Sequence, residues 1–160
     1  MAALAGSLAF SPVASAASKT NPPAYKVQGV KQSVGLRNNN PGNIRKGIKW
    51  NGAVGDDGAF VKFATPEDGI RALSLNLRAY QKKYKLDTIA GIINRWSPPK
   101  ENPTSNYVNF VAKKMGKTPI DKINLSDRKT LTDLVTAIIE FENAGNPYPA
   151  EIIKKGIEKP

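Results

Sequence analysis

The chain has no histidine and no cysteine. That excludes the Ser-His-Asp and Cys-His nucleophile systems, zinc-thiolate sites and disulfides, and it leaves acid–base chemistry to Asp, Glu, Lys or Tyr. Among the acids, Glu142 has the most suggestive surroundings. Leu131, Leu134, Val135, Ile138 and Ile139 recur at helical spacing and form one apolar stripe, so a helix is expected over Leu131 to Gly145. Ser126 serves as its N-cap, and Gly145 with Asn146-Pro147 ends it. Glu142 then falls in the last turn, just beyond the stripe. A carboxyl at the edge of apolar packing loses hydration, its pKa rises, and it can keep the proton that a general acid must donate. The competing reading is a solvated helix-end glutamate. Glu101, in a proline-rich loop between two helices, is the rival acid. Asp56 and Asp57 offer a second carboxylate or simply a loop tip before Gly58, and Glu67 and Asp68 answer a helix dipole.

The elements that must position these groups can be read in order. Residues 2–18 carry no charge and are rich in Ala, Leu and Ser, with Ala14-Ser15-Ala16 fitting a signal-peptidase site but no basic residue before Lys19. Three readings stay open for this segment: a weak signal peptide, an apolar tail docking on a membrane or capsid partner, and a disordered end. Residues 19–34, interrupted by Pro22-Pro23 and Gly29, read as a linker. One folded domain is expected over 35–160. The run Arg37-Asn38-Asn39-Asn40-Pro41-Gly42-Asn43 calls for a tight turn with left-handed positions. Residues 44–63 form a small β-hairpin around the turn at Asp56-Asp57-Gly58. Thr65-Pro66-Glu67-Asp68 starts a helix to about Lys83, and Asp87-Thr88 caps a second through Trp96. Thr104 opens a third that Gly116 ends, with Tyr107, Val108, Val111 and Met115 inward. Pro149 opens a short last one over Ala150 to Lys155, closed by Gly156. The fold class is mainly α, an α+β domain with a minor hairpin.

The segment GLRNNNPGNIR, followed by Trp50, Gly52, Phe60, Phe63 and GIRAL at 69–73, resembles a family of phage virion and endolysin-like proteins. WSPPKENPTSNYVNFVAKKMG (96–116) and AIIEFENAGNPYPAEIIKKGI (137–157) continue the resemblance, which spans roughly residues 35–157. More distantly, AIIEFEN at 137–143 is similar to the acid-bearing helix of lytic transglycosylases and bacterial glucosaminidases. In the glucosaminidases that helix precedes an Asn-Asn turn, a tryptophan hairpin and a Phe-x-x-Tyr-type strand. Here Asn39-Asn40, Trp50 and Phe60-x-x-Phe63 stand in that order, with the acid helix last. The resemblance therefore implies a circularly permuted lysozyme-like domain that cleaves peptidoglycan glycan strands, by hydrolysis or by transglycosylation. Ala144 departs from the relatives, which often carry Gly there.

Glycosidic cleavage needs a proton donor at the leaving oxygen and a stabiliser for an oxocarbenium-like centre. A lone carboxylate suffices where the substrate's acetamido group assists. On this reading Glu142 is the acid. Trp50, Trp96, Tyr107 and Tyr148 line a sugar groove or pack the core, and Asn39, Asn40 and Asn43 hold an N-acetyl group or build their turn. No metal or cofactor is implied. The net charge of +11 and pI near 9.9 call for an anionic partner. Peptidoglycan, with its anionic wall polymers, is the first candidate, and residues 2–18 offer membrane or capsid contact. Nucleic acid ranks lower, because no recognised binding motif appears. The setting is a virion or the bacterial envelope or periplasm. The alternative function is a catalytically inactive virion structural protein that binds membrane or genome through its basic surface.

Overall fold

A computed structural model of the chain describes residues 32–99 and 104–160. The apolar segment 2–18, most of the expected linker and Glu101 lie outside the described residues. Within them the order is α1 (Val34–Arg37), β1 (Ala53–Asp56), β2 (Val61–Phe63), α2 (Pro66–Tyr84), α3 (Ile89–Trp96), α4 (Thr104–Lys114), α5 (Arg128–Asn143) and α6 (Ala150–Glu158). The protein is mostly helical with one small antiparallel sheet.

Helix α2 is central, packing against α3, α5, α6 and β2. It starts where its cap chemistry demands: the Thr65 side chain accepts from the Asp68 N–H, and Pro66 occupies the first turn. Ile70, Leu73, Leu77 and Tyr80 are fully buried along its inner face. Against them pack Ile89, Ile92, Ile93 and Trp96 of α3, Val111 of α4, and Leu134, Val135, Ile138 and Ile139 of α5, all without solvent exposure. At about 25 cal/mol per Å² of apolar surface removed from water, this contiguous cluster supplies the dominant favourable term for the fold.

The two strands pair with Ala53 opposite Phe63 and Asp56 opposite Val61, and a bulge at Val54 interrupts the register. Val61 and Phe63 face the core while the whole of β1 is exposed, so the hairpin is an arm anchored by one strand. An isolated bridge between Arg45 and Phe60 carries the pairing toward the asparagine-rich turn.

Four details depart from the expectations above. Asp127, not Ser126, caps α5 by accepting from the Thr130 N–H, and the helix begins at Arg128. Ser126 is held in an Asx turn by Asn124. The helix also ends at Asn143, with Ala144 in the left-handed region at φ 51°. Helix α6 runs through Gly156 to Glu158, because a Cβ there would lie 2.6 Å from the Ile70 side chain, and only glycine lets the two helices close. Finally, part of the expected linker is structured: Ser33 caps the single turn α1 by accepting from the Leu36 N–H.

Candidate active site at the end of the fifth helix

The turn over residues 38–43 is the frame of the site. Asn39 and Asn43 adopt φ of 51° and 52°, a left-handed conformation that asparagine tolerates better than most residues. Asn40 is wholly buried; its amide donates to the carbonyls of Ile44 and Val61 at 2.9 Å each, and its oxygen accepts from the Ile44 N–H. Asn39 donates to the Phe63 and Ala64 carbonyls. These two side chains therefore stitch the turn to β2. Gly69 at the start of α2 lies against the turn, and a Cβ there would sit 1.9 Å from the Asn39 carbonyl oxygen. Gly52, at φ 82°, abuts Asp68, whose carboxylate is held by Thr65 and Lys159. The motif residues Asn39-Asn40, Gly52 and Gly69 thus share one job: they seat the turn and the hairpin on α2.

The turn ends on a carboxylate at each side. Asn38 donates its amide to Asp57 Oδ2 at 2.9 Å, and Asn43 donates to Glu142 Oε2 at 3.1 Å. Helix α5 brings Glu142 to this place because its buried stripe fixes its roll against α2 and α4. Asn143 fixes its end, donating to the Pro41 and Ile139 carbonyls and accepting from the Ser33 hydroxyl at 2.6 Å. Helix α4 supplies the second donor. Its Tyr107 ring stacks on Phe141 with centroids 3.9 Å apart, and the Tyr107 hydroxyl donates to Glu142 Oε1 at 2.9 Å. A Lys114–Glu140 ion pair at 2.8 Å ties the same two helices together.

The electrostatics follow from these contacts. Loss of hydration pushes the Glu142 carboxyl above the ordinary glutamate range, against the pull of the Asn43 and Tyr107 donors and the nearby Trp96 indole, which favour the charged form. Burial drives the Tyr107 hydroxyl well above its usual value, helped by the adjacent Glu142 charge, so it remains a donor at every ordinary pH. Asn43 Oδ1 is buried without a partner, so turning that amide over would present an acceptor to a protonated Glu142. The arrangement can hold a carboxyl in either protonation state with little movement.

The aromatic expectations fare unequally. Trp96 is fully buried, Tyr107 is 1 % exposed and Tyr148 is 5 % exposed. None offers a ring face to a sugar: Trp96 lies under the core helices, and Tyr107 acts through its hydroxyl on Glu142. Trp50 alone of the four is partly open, packed on the core's edge. Asn39 and Asn40 spend their amide N–H groups on backbone, and Asn43 spends one on Glu142. Reading the sequence missed Ser33 and the bridging role of Asn143; the Asn immediately after the acid was the only hint of the latter. An open depression of about 360 Å³ lined by Gln81, Asp87, Lys122, Ile123 and Asn124 lies away from this site.

Comparison with known proteins places the chain in a lineage. Over 130 residues, 78 % of this chain and 79 % of the relative, the sequence is 46 % identical to Protein P5 of Pseudoalteromonas phage PM2. The chain belongs to the family of that bacteriophage protein. No family model matches it. Among the described residues no helix is long and apolar enough to cross a membrane.

Proposed function

We propose that this protein is a virion-borne or lysis enzyme that cleaves the glycan strands of peptidoglycan, with Glu142 as the general acid on a lysozyme-like, circularly permuted scaffold. The observation that carries the reading is the Glu142 carboxyl itself: half-buried, raised in pKa by the loss of hydration, and held by donors from the asparagine turn and α4. An upward shift is the direction that protonation of a glycosidic oxygen requires. Asn43 and Tyr107 orient the carboxyl, Trp50 is the one of the four aromatics left partly open to a sugar, and the substrate's acetamido group takes the place of a second carboxylate. Membership in a phage protein family supports a setting in which a wall must be breached.

The test is turnover of purified peptidoglycan. Wild type should clear the wall, and Glu142→Gln should lower the rate by roughly 10²- to 10⁴-fold, the usual contribution of a positioned acid, while melting at the same or a higher temperature at pH 7. Anhydro-sugar ends in the released fragments identify transglycosylation, and reducing ends identify hydrolysis. Equal clearing by wild type and Glu142→Gln moves the acid elsewhere, with Glu101 next in line. Absence of clearing by wild type overturns the enzyme and leaves a second reading, a virion structural protein working through its basic surface. The net charge of +11 and the phage relative support that one.

A further inference from the structure

The distal half of α2 carries a concentration of charge that the glycan chemistry does not use. No acidic residue occurs between Asp68 and Asp87, while Arg78, Lys82, Lys83 and Lys85 fall in that interval and are all exposed. Arg78 and Lys82 stand four residues apart on one face of α2, beyond the part that α6 covers near Ile70, and Lys85 follows as the left-handed C-cap just past the end of the helix. Arg95 from α3 joins them. Its guanidinium lies 3.6 Å from the Tyr84 ring centroid, and the Lys83 ammonium lies 5.5 Å from the same ring. Stacking of this kind fixes a guanidinium with its N–H edge free to donate. Among the described residues none of these five cations has an acidic partner, and the nearest acid along the chain, Asp87, is paired with Lys122 at 3.6 Å.

We propose that this face binds the phosphate backbone of nucleic acid, without regard to sequence. Charge complementarity points to a polyanion of high linear density, since five cations sit within about two helical turns and one neighbouring residue. Duplex DNA presents one negative charge per about 1.7 Å of axis. A bilayer is the less suitable occupant: a helix that seats in lipid presents Trp, Phe or Leu beside its cations, whereas Leu77 and Tyr80 are buried here and Tyr84 is roofed by Arg95. Stacked on a ring, Arg95 is a positioned phosphate donor; the lysines act as point charges. This function stands apart from Glu142 and holds whether or not the wall is cleaved.

The experiment titrates the full-length protein against fluorescent duplexes of unrelated sequence at several salt concentrations. Five contacts predict a log–log slope of about −4 to −5 that is the same for every sequence. Replacing Arg78, Lys82 and Lys85 together by Gln should lower the slope by roughly 3 and weaken binding at least tenfold. A variant with the same loss of charge elsewhere, Lys49→Gln with Lys62→Gln and Lys117→Gln, should keep the wild-type slope; thermal melts confirm that both variants fold. Equal weakening in the two variants would overturn the assignment, since binding would then follow net charge. Binding of anionic phosphatidylserine vesicles but not of the duplex would overturn it in favour of lipid.

Discussion

Two carboxylates hang from the asparagine-rich turn, and the protein treats them in opposite ways. Asp57 sits at the exposed tip of the hairpin and accepts from the Phe60 and Ala59 backbone N–H groups and from Asn38. Those donors, in the order given, bring its pKa down to about 2. Glu142 accepts from two side chains, Asn43 and Tyr107, yet its pKa goes up, because the dehydration at the end of α5 outweighs both. The lesson is that donors alone do not decide a carboxyl's charge: the same amide contact accompanies a depressed group in water and an elevated one under apolar cover. One carboxylate serves as a peg for a turn, and in the other burial favours the neutral form.

The comparison breaks most severely if the turn itself fails. Asn40→Ala would take away the side-chain partner of the buried Ile44 N–H and one donor from each of the Ile44 and Val61 carbonyls, the former still held by the Val61 N–H, so about 2–4 kcal/mol of stability should disappear. Chemical denaturation would show it as a lower midpoint with unchanged slope. Both carboxylates should then shift toward ordinary values in the surviving native state.

A gentler change acts on Glu142 alone. Tyr107→Phe keeps the ring stack on Phe141 and removes the hydroxyl donor, at a stability cost of about 1 kcal/mol. Because that donor favours the charged form, its loss should move the Glu142 pKa further up. The basic limb of the rate-against-pH curve should follow it upward, and an unmoved limb would disconnect Tyr107 from the acid.

Asp57→Asn probes the other side with the smallest effect. A carboxyl with a depressed folded pKa stabilises the fold above its unfolded value of 3.8 and loses that contribution as pH falls toward about 2. Wild type should therefore lose stability between pH 4 and 2 more steeply than the variant, so that the gap between them is widest at neutral pH and closes near pH 2. Acid titrations followed by circular dichroism would detect it. Glu142 runs the other way: its raised pKa favours the fold most below 4.5, and that contribution fades as pH rises through the folded value.

Much of the frame was legible because it is local. The cap at Thr65, the cap at Thr88 and the stop after Trp96 were read from adjacent residues, and α2, α3 and α4 lie where those signals put them. Glu142 was readable as a dehydrated acid because the stripe from Leu131 to Ile139 stops one turn before it. What stayed hidden depends on contacts between distant segments. Gly156 looked like a helix end and is instead the point where Ile70 presses on α6. Trp96 and Tyr107 could equally have lined a groove, since an aromatic side chain has the same pattern in a core as in a cleft. Ser33 and Asn143 are 110 residues apart, and no periodicity links them. The cap of α5 was missed by one residue because Ser126 and Asp127 are both good caps, and Asn124 claims the first.

Carboxyl-selective carbon-13 NMR titration of the folded protein puts both groups in one experiment. The account predicts that Glu142 titrates above the ordinary glutamate value of 4.5 while Asp57 titrates near 2. A Glu142 midpoint at or below 4.5 would contradict it, since a carboxylate that ionises so readily has no proton to give.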